Sequence, residues 1–204
     1  MKVALIGATG NVGSRILTEL LSRGHEVTGI MRHPEKLQPH DRLVAQRGDI
    51  NDEAGLAQLL ARHDAVISSV KFQPVEPRIL IEAVKRAGVK RLLVVGGAGS
   101  LEVAPNVQLV DTPDFPAAYK PEALAGRDFL NVLRGEREID WTFLSPSALF
   151  VPGERTGKFR LGTDRLLVGA NGESKISFED YAIALVDELE TPRHSRQRFT
   201  VGYW

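Results

Sequence analysis

Short apolar runs alternate with amphipathic stretches along most of the chain. Six runs predict β-strands. Within them apolar residues follow one another and do not alternate strictly with polar ones, as expected for strands covered on both faces of a sheet. They are Lys2–Ile6, Glu26–Met31, Leu43–Gln46, Ala65–Ser68, Arg91–Val95 and Trp141–Leu144. Helical periodicity predicts helices at Ser14–Arg23, Glu53–Ala61, Val75–Ala87 and Pro121–Arg134, with C-terminal stops at Gly24 and Gly88. This alternation predicts an α/β fold, a Rossmann-type doubly wound parallel sheet with its ligand at the carboxyl ends of the strands.

The remainder of the chain is less periodic. We expect a hairpin at Lys158–Leu161 and Leu166–Gly169, a capping box from Ser177 that opens a helix at Phe178–Glu190, and a last strand at Phe199–Val201. Two long loops, about 99–119 and 145–165, follow strands at the ligand edge and are expected to face a substrate. The length of 204 residues fits one domain with a small C-terminal elaboration.

Composition narrows the function classes. Lys plus Arg and Asp plus Glu both number 26, so nothing global attracts nucleic acid or an anionic membrane. The chain has no cysteine, which excludes disulfides, thiolate zinc sites and thiol nucleophiles. The five histidines show no ligand spacing, so no metal site is predicted. Without a signal sequence or an apolar run of about 18 residues, the sequence leads us to expect a cytoplasmic protein.

A glycine-rich turn joins the first strand to the first helix. Gly7 permits a tight turn, Gly10 lets the backbone approach a phosphate, and Gly13 lets the helix lie close on the strand. The helix N-terminus offers free N–H groups and a positive dipole end to an anion. The turn predicts a dinucleotide pyrophosphate site, and the alternative is a tight turn without a ligand. The residues of this turn that are predicted to bind the cofactor are Gly7, Thr9, Gly10, Asn11, Val12 and Gly13.

The end of the second strand indicates which nucleotide is bound. An acidic residue there would take the ribose hydroxyls of NAD, whereas an arginine accommodates the 2′-phosphate of NADP. Arg32 follows this strand, and Glu26 lies at its other end. A guanidinium fork pairs with phosphate and its plane stacks on adenine, so we predict NADP, with NAD as the alternative.

Further cofactor contacts are expected where other strands end at the same edge. A carboxylate at Asp49 can accept from the adenine amino group or can cap the next helix, and both interpretations stay open. Small residues after the fifth strand leave room for a flat ring, and backbone after the sixth can meet a nicotinamide carboxamide. The cofactor-binding residues predicted in these segments are Asp49, Ile50, Ser68, Ser69, Val70, Gly96, Gly97, Ala98, Ser145 and Pro146.

Five stretches resemble the atypical short-chain dehydrogenase/reductases. They are Ile6–Gly10, Leu93–Leu101, Asp140–Pro146, Pro152–Gly157 and Ile176–Tyr181, and they span nearly the whole chain. Within that group the chain is similar to compact NAD(P)H-binding proteins named NADH-flavin reductases, which are related to biliverdin reductase B. The resemblance implies that residues 1–204 form a single NAD(P)-binding Rossmann domain with a flat redox partner.

The chain departs from ordinary short-chain dehydrogenases at their Tyr-x-x-x-Lys pair. Tyr119 stands near the expected tyrosine, but Ala123 follows four residues later and Lys120 is adjacent. Neighbouring residues on a helix diverge by about 100°, so Lys120 does not replace the missing lysine. Tyr119 therefore has two interpretations, a catalytic acid or a residue that packs at the pocket mouth. Ser100 is likewise either a catalytic hydrogen-bond donor near the nicotinamide or a turn serine.

Two loop residues are candidate substrate contacts. Arg155 can meet a phosphate of FMN or another anionic acceptor, or it can form an ion pair with Glu154 or another carboxylate. Phe150 can stack on a substrate ring or anchor its loop. The basic cluster Arg193–Arg198 is predicted to be a solvated connection before the last strand.

The missing Tyr/Lys pair favours an acceptor that needs little proton donation. A flavin, quinone or pigment spreads the charge of an added hydride over a conjugated system, so positioning two flat rings supplies much of the rate. We therefore expect an NAD(P)H-dependent oxidoreductase in which flavin is a substrate and not a tightly bound cofactor. One alternative is a redox-sensing regulator resembling NmrA-like proteins, and another is a sugar epimerase or dehydratase. The expected partner is a small molecule, and the expected assembly is a monomer or homodimer.

Overall fold

A computed structural model describes all residues from 1 to 204. It contains twelve strands and five α-helices. The strands are β1 (Lys2–Ile6), β2 (Glu26–Met31), β3 (Leu43–Arg47), β4 (Ala65–Ser68), β5 (Arg91–Val95), β6 (Glu102–Ala104), β7 (Val107–Gln108), β8 (Asp140–Ser145), β9 (Leu149–Val151), β10 (Arg160–Gly162), β11 (Lys175–Ser177) and β12 (Gln197–Gly202). The helices are α1 (Asn11–Ser22), α2 (Glu53–Leu60), α3 (Pro77–Arg86), α4 (Lys120–Arg134) and α5 (Phe178–Glu190).

Eight strands form one sheet in the order β10-β12-β8-β5-β4-β1-β2-β3. Every neighbouring pair is parallel except β10 and β12. The chain proceeds outward from β1 to β3 on one side and from β4 through β5 and β8 to β12 on the other, with β10 outside β12. The order therefore reverses between β1 and β4, and ligands of such sheets bind at the carboxyl ends beside this reversal. The predicted doubly wound Rossmann fold is confirmed.

Helices cover both faces of the sheet. Helices α1 and α5 bury one core of 22 residues, whereas α2, α3 and α4 bury a second core of 20. Strands between these two layers are apolar on both sides, which explains the unbroken apolar runs in the sequence. None of the helices combines the length and the apolar character that a membrane span requires.

The C-terminal part differs from the sequence prediction. The predicted hairpin of Lys158–Leu161 with Leu166–Gly169 is wrong, because β10 pairs antiparallel with β12 and the second segment is not a strand. A strand as short as β10 has too few residues for its hydrophobic pattern to indicate which strand it pairs with. A parallel pair of β9 and β11 was not predicted, and residues 99–119 include the β6–β7 hairpin. The predicted helix cap is confirmed, since the N–H of Asp180 donates to Ser177 Oγ at 2.9 Å.

Candidate functional site

The glycine turn lies where the strand order reverses. Gly7 has a φ of +84°, a conformation that favours glycine, and a Cβ there would overlap the carbonyl oxygen of Ser69 after β4. A Cβ at Gly13 would overlap the carbonyl oxygen of Gly7, so only glycine lets α1 approach β1 this closely. The Ser69 N–H donates to Ile6 O at 2.9 Å, which brings the ends of β1 and β4 together.

Gly10 occupies the N-cap of α1 and has no close neighbour on its side-chain side. The nearest atom to a Cβ at Gly10 is the Gly7 carbonyl oxygen at 3.5 Å, and no side chain caps the helix. The N–H groups of Asn11, Val12 and Gly13 have no acceptor within the chain, because the Ser14 N–H makes the first bond, to Gly10 O at 2.9 Å. The first turn holds no acidic residue. Free N–H groups at the positive end of a helix dipole are suited to an anion such as a pyrophosphate.

Arg32 lies beside the ends of β2 and β3. Its side chain is exposed and takes part in no ion pair, and the Gly48 N–H donates to Met31 O at 3.0 Å to join the two strand ends. Asp49 is exposed here and its carboxylate accepts from the Asn51 N–H at 2.9 Å.

The alternative role of Asp49, as the cap of the next helix, is wrong. Asp52 caps α2 instead, with its carboxylate accepting from the Gly55 N–H at 3.1 Å. The sequence did not separate these two aspartates because both precede the helix by a few residues. Asp49 stays a predicted adenine contact, and the half-buried Ile50 stays a predicted cofactor-binding residue.

The residues that follow β4 and β5 form the opposite side of the site. Ser69 and Val70 are half-exposed, whereas Ser68 is 3% exposed. Gly97 and Ala98 are also half-exposed, and the nearest atom to a Cβ at Gly97 is a Phe72 ring carbon at 3.8 Å. Small residues with open space leave room for a flat ring. Gly96, by contrast, is buried against the Phe143 ring and serves packing.

Ser145 and Pro146 end β8 inside the protein. Both residues are buried, and the Ser145 carbonyl oxygen accepts from Thr200 Oγ1 at 2.8 Å. Their contact with a nicotinamide carboxamide stays a prediction. Gly96 donates its N–H to Leu144 O at 2.9 Å, so the ends of β5 and β8 nevertheless lie side by side.

The start of α4 holds no tyrosine–lysine pair. Tyr119 is 68% exposed and immediately precedes the helix. Ala123, at the position of the missing lysine, packs on the loop after β5, where a Cβ at Gly99 would lie 2.9 Å from the Ala123 Cβ. The Glu122 carboxylate accepts from the N–H groups of Phe72 and Gln73 at 2.5 and 3.1 Å, a link between α4 and the loop after β4 that was not predicted.

Comparison with known proteins now identifies the family. Residues 7–192 match the NAD(P)H-binding family. The chain belongs to that family. It is 44% identical to the uncharacterized protein YwnB of Bacillus subtilis, with 98% of each chain covered.

Two solved structures carry related folds over nearly their whole length. One, from Bacteroides thetaiotaomicron and described as a "putative epimerase", is 45% identical with a TM-score of 0.95 over 99% of this chain and 96% of that one. The other, from Streptococcus pneumoniae and described as a "putative NADH-flavin reductase", is 36% identical with a TM-score of 0.86 over all of both chains. This NAD(P)H-binding protein is thus an atypical short-chain dehydrogenase/reductase with a nicotinamide cofactor and belongs to an oxidoreductase-like family.

Both predicted substrate residues are engaged in structural contacts. Arg155 forms a bidentate pair with Glu19 of α1, with Nε–Oε2 and Nη2–Oε1 distances of 2.8 Å. This is the ion-pair alternative, although the partner is not Glu154. Hydrogen bonds from Arg155 hold the pKa of the buried Glu19 carboxyl below its usual range. Phe150 packs edge-on against Phe178 with ring centroids 4.7 Å apart, as a loop anchor does. Their substrate contacts stay predictions.

A buried carboxylate holds the loop that carries Arg155. Asp180 is fully buried, and its two oxygens accept from the N–H groups of Thr156 and Gly157, both at 2.8 Å, the Thr156 hydroxyl at 2.6 Å and the Tyr203 hydroxyl at 2.7 Å. The stretch resembling a family motif at residues 152–157 therefore closes on α5. Burial raises the pKa of the Tyr203 hydroxyl that joins this cluster.

Tyr181 and Arg198 show where the sequence missed buried polar groups. The Tyr181 hydroxyl donates to Leu144 O at 2.7 Å, and complete burial raises its pKa, so this tyrosine stays neutral and structural. Arg198 lies on β12 with its side chain only 3% exposed, so its assignment to a solvated connection is wrong. It donates to Ser100 Oγ at 3.0 Å, and Ser100 itself is 4% exposed.

Proposed function

We propose that this protein is an NADPH-preferring oxidoreductase that passes hydride to a flavin or a similar conjugated acceptor. One observation supports the proposal most directly. The glycine turn is open to a dinucleotide, and no Tyr/Lys pair lies at the start of α4 beside it. The relative from Streptococcus pneumoniae, described as a "putative NADH-flavin reductase", supports the same class of acceptor.

The residues at the carboxyl edge fit NADPH. The N–H groups of Asn11, Val12 and Gly13 would hold the pyrophosphate, and the unpaired Arg32 guanidinium would hold the 2′-phosphate. Gly97 and Ala98 would leave space for the nicotinamide ring. Bound NADPH supplies the hydride, and the chain supplies position and electrostatics.

The chemistry of the start of α4 favours a conjugated acceptor. Reduction of a ketone requires a proton for the developing alkoxide, and tyrosine is a poor acid near neutral pH without a cation beside it. Tyr119 is 68% exposed and has no hydrogen-bond partner for its hydroxyl. A flavin, quinone or pigment delocalises the charge, so alignment of two rings can replace the missing acid.

Two further functions share some of the same observations. A redox sensor would also bind nucleotide without a Tyr/Lys pair. The relative from Bacteroides thetaiotaomicron supports an epimerase, whose substrate would be a sugar nucleotide. Binding without turnover favours the sensor, and interconversion of a UDP-sugar favours the epimerase.

The test measures oxidation of NADPH and NADH with FMN, FAD, riboflavin, a quinone and biliverdin, alongside nucleotide binding by calorimetry. A ketone and a UDP-sugar complete the panel. We expect turnover of at least one conjugated acceptor and no ketone reduction. Ketone reduction without flavin, quinone or pigment activity would refute the proposal.

Arg32→Ala tests the cofactor preference. Loss of a charge-assisted hydrogen bond to the 2′-phosphate is expected to weaken NADPH binding by about tenfold to a hundredfold. NADH carries no 2′-phosphate, so its dissociation constant should change little. Calorimetry with both nucleotides measures the two effects. Arg42→Ala is the control. This exposed arginine precedes β3 and therefore lies at the amino ends of the strands, opposite the candidate site. Equal weakening of NADPH and NADH would contradict the assignment of Arg32.

A further inference from the structure

Arg198 is a buried cation beneath the candidate site. It lies on β12 opposite Phe143 of β8, and its guanidinium reaches past β8 toward the loop that follows β5. Burial lowers its pKa, but a guanidinium remains charged in a protein. A buried charge is costly unless it is paired and hydrogen-bonded, so the partners of Arg198 are informative.

Every nitrogen of this guanidinium donates at least one hydrogen bond. Nη1 donates to Ser100 Oγ at 3.0 Å and to Ser145 Oγ at 3.3 Å. Nη2 donates to the Ser100 carbonyl oxygen at 3.3 Å and lies 2.9 Å from Asp164 Oδ1, to which Nε donates at 3.0 Å. Arg198 therefore donates hydrogen bonds to both the side chain and the backbone of Ser100.

The partner carboxylate belongs to a segment that is itself tied to the loop after β5. The Glu102 N–H donates to Asp164 O at 2.8 Å, and the Leu166 N–H donates to Glu102 O at 2.9 Å. Three segments, at Ser100, Ser145 and Asp164, thus meet at one cation. Two of them leave strands at the carboxyl edge, and the third follows β10.

A second buried arginine provides a comparison. Arg91 begins β5 at the amino edge, away from the glycine turn, and its side chain is 9% exposed. It pairs with Glu188 at 3.2 Å but leaves its Nε without a partner. Both arginines stabilise the sheet, whereas only Arg198 has its partners beside the candidate site.

We propose that Arg198 is a positioning residue that fixes Ser100 as a hydrogen-bond donor at the site of hydride transfer. This inference rests on the proposed function. The Ser100 oxygen accepts from the guanidinium, so its own hydrogen is left to donate to another group. The nearby positive charge makes the hydroxyl a stronger donor, and burial increases that effect. The group that receives this hydrogen bond would be the nicotinamide carboxamide or a carbonyl oxygen of the acceptor.

Steady-state kinetics of Arg198→Lys, Ser100→Ala and the double variant test the inference. Lysine keeps the charge but cannot donate to the hydroxyl and the carbonyl oxygen of Ser100 at the same time. We expect each single variant to lower kcat about tenfold, and the double variant to lower it no further, because both changes remove one interaction. Arg91→Lys, the matched control, is expected to lower stability and leave kcat near the wild-type value. Additive losses, or an unchanged kcat in Arg198→Lys, would overturn the inference.

Amide hydrogen exchange provides a readout that does not depend on turnover. Arg198→Lys is expected to speed exchange at residues 99–103 and 164–166, and Arg91→Lys is not. Protection equal to wild type in Arg198→Lys would overturn the fixed position of Ser100. If the wild-type protein turns over no acceptor, the proposed function fails, and so does the assignment of Ser100 to hydride transfer. In that case exchange still decides whether Arg198 holds the loop.

Discussion

Gly13→Ala is expected to remove nucleotide binding, lowering affinity by more than about a hundredfold, and to destabilise the fold by about 1–3 kcal/mol. The added Cβ would overlap the carbonyl oxygen of Gly7, a backbone atom that cannot rotate away. Helix α1 must then move off β1 and carry its free N–H groups with it. Calorimetry with NADPH and urea unfolding measure the two effects.

Gly10→Ala is expected to weaken nucleotide binding while leaving the stability of the fold nearly unchanged. Its φ of −70° suits alanine, and its Cβ would meet no atom closer than 3.5 Å, so we expect less than about 1 kcal/mol of destabilisation. The methyl group would, however, occupy the path by which phosphate approaches the backbone, and affinity should fall at least about tenfold. Gly135→Ala at the end of α4, whose Cβ would likewise meet no atom closer than 3.5 Å, should change neither quantity. Unchanged affinity in Gly10→Ala would favour a tight turn without a ligand.

The sequence predicted those features that depend on local pattern. The strand at Lys2–Ile6, the glycine turn and the following helix are neighbours in the chain, so spacing alone describes their geometry. The positive φ of Gly24 and of Gly88 likewise follows from their place at helix ends. The parallel order of the sheet followed from alternation of strands and helices.

Contacts between distant segments were not predicted. Arg155 and Glu19 are separated by 136 residues, and Arg198 and Ser100 by 98. Arginines in loops and in basic clusters are usually solvated, so the sequence around Arg155 and Arg198 favoured exposed side chains for both. The signal that distinguishes Arg198 is its place in a buried strand, directly before Phe199 and Val201, which belong to the core. A charge embedded in a strand of this kind indicates a buried partner.

Glu188→Ala is expected to cost about 3–5 kcal/mol, because removal of one member of a buried ion pair leaves the Arg91 charge with only the longer contact to Asp140 Oδ1, at 3.5 Å. Glu188 and Arg91 have side chains 3% and 9% exposed, with 3.2 Å between Oε1 and Nη2. The same carboxylate accepts from the N–H groups of Arg193 and His194 at 3.0 and 2.8 Å, so backbone donors also lose their acceptor. For a domain of this size the loss corresponds to a melting temperature lower by roughly 6–20 °C.

A surface pair gives the control for this effect. Lys2 and Glu26 are 65% and 62% exposed and 4.0 Å apart, so Glu26→Ala should leave the melting temperature almost unchanged. Replacing both buried partners, as Arg91→Met with Glu188→Leu, removes the buried charge that has lost its shorter ion pair and should recover part of the loss. Recovery should be incomplete, because leucine cannot accept from the N–H of Arg193 or His194. Full recovery would mean that those backbone groups find water, and the stability of this edge would then come from packing alone. No recovery would mean that the carboxylate acts chiefly as an acceptor for the turn before β12, with Arg91 as its counter-ion.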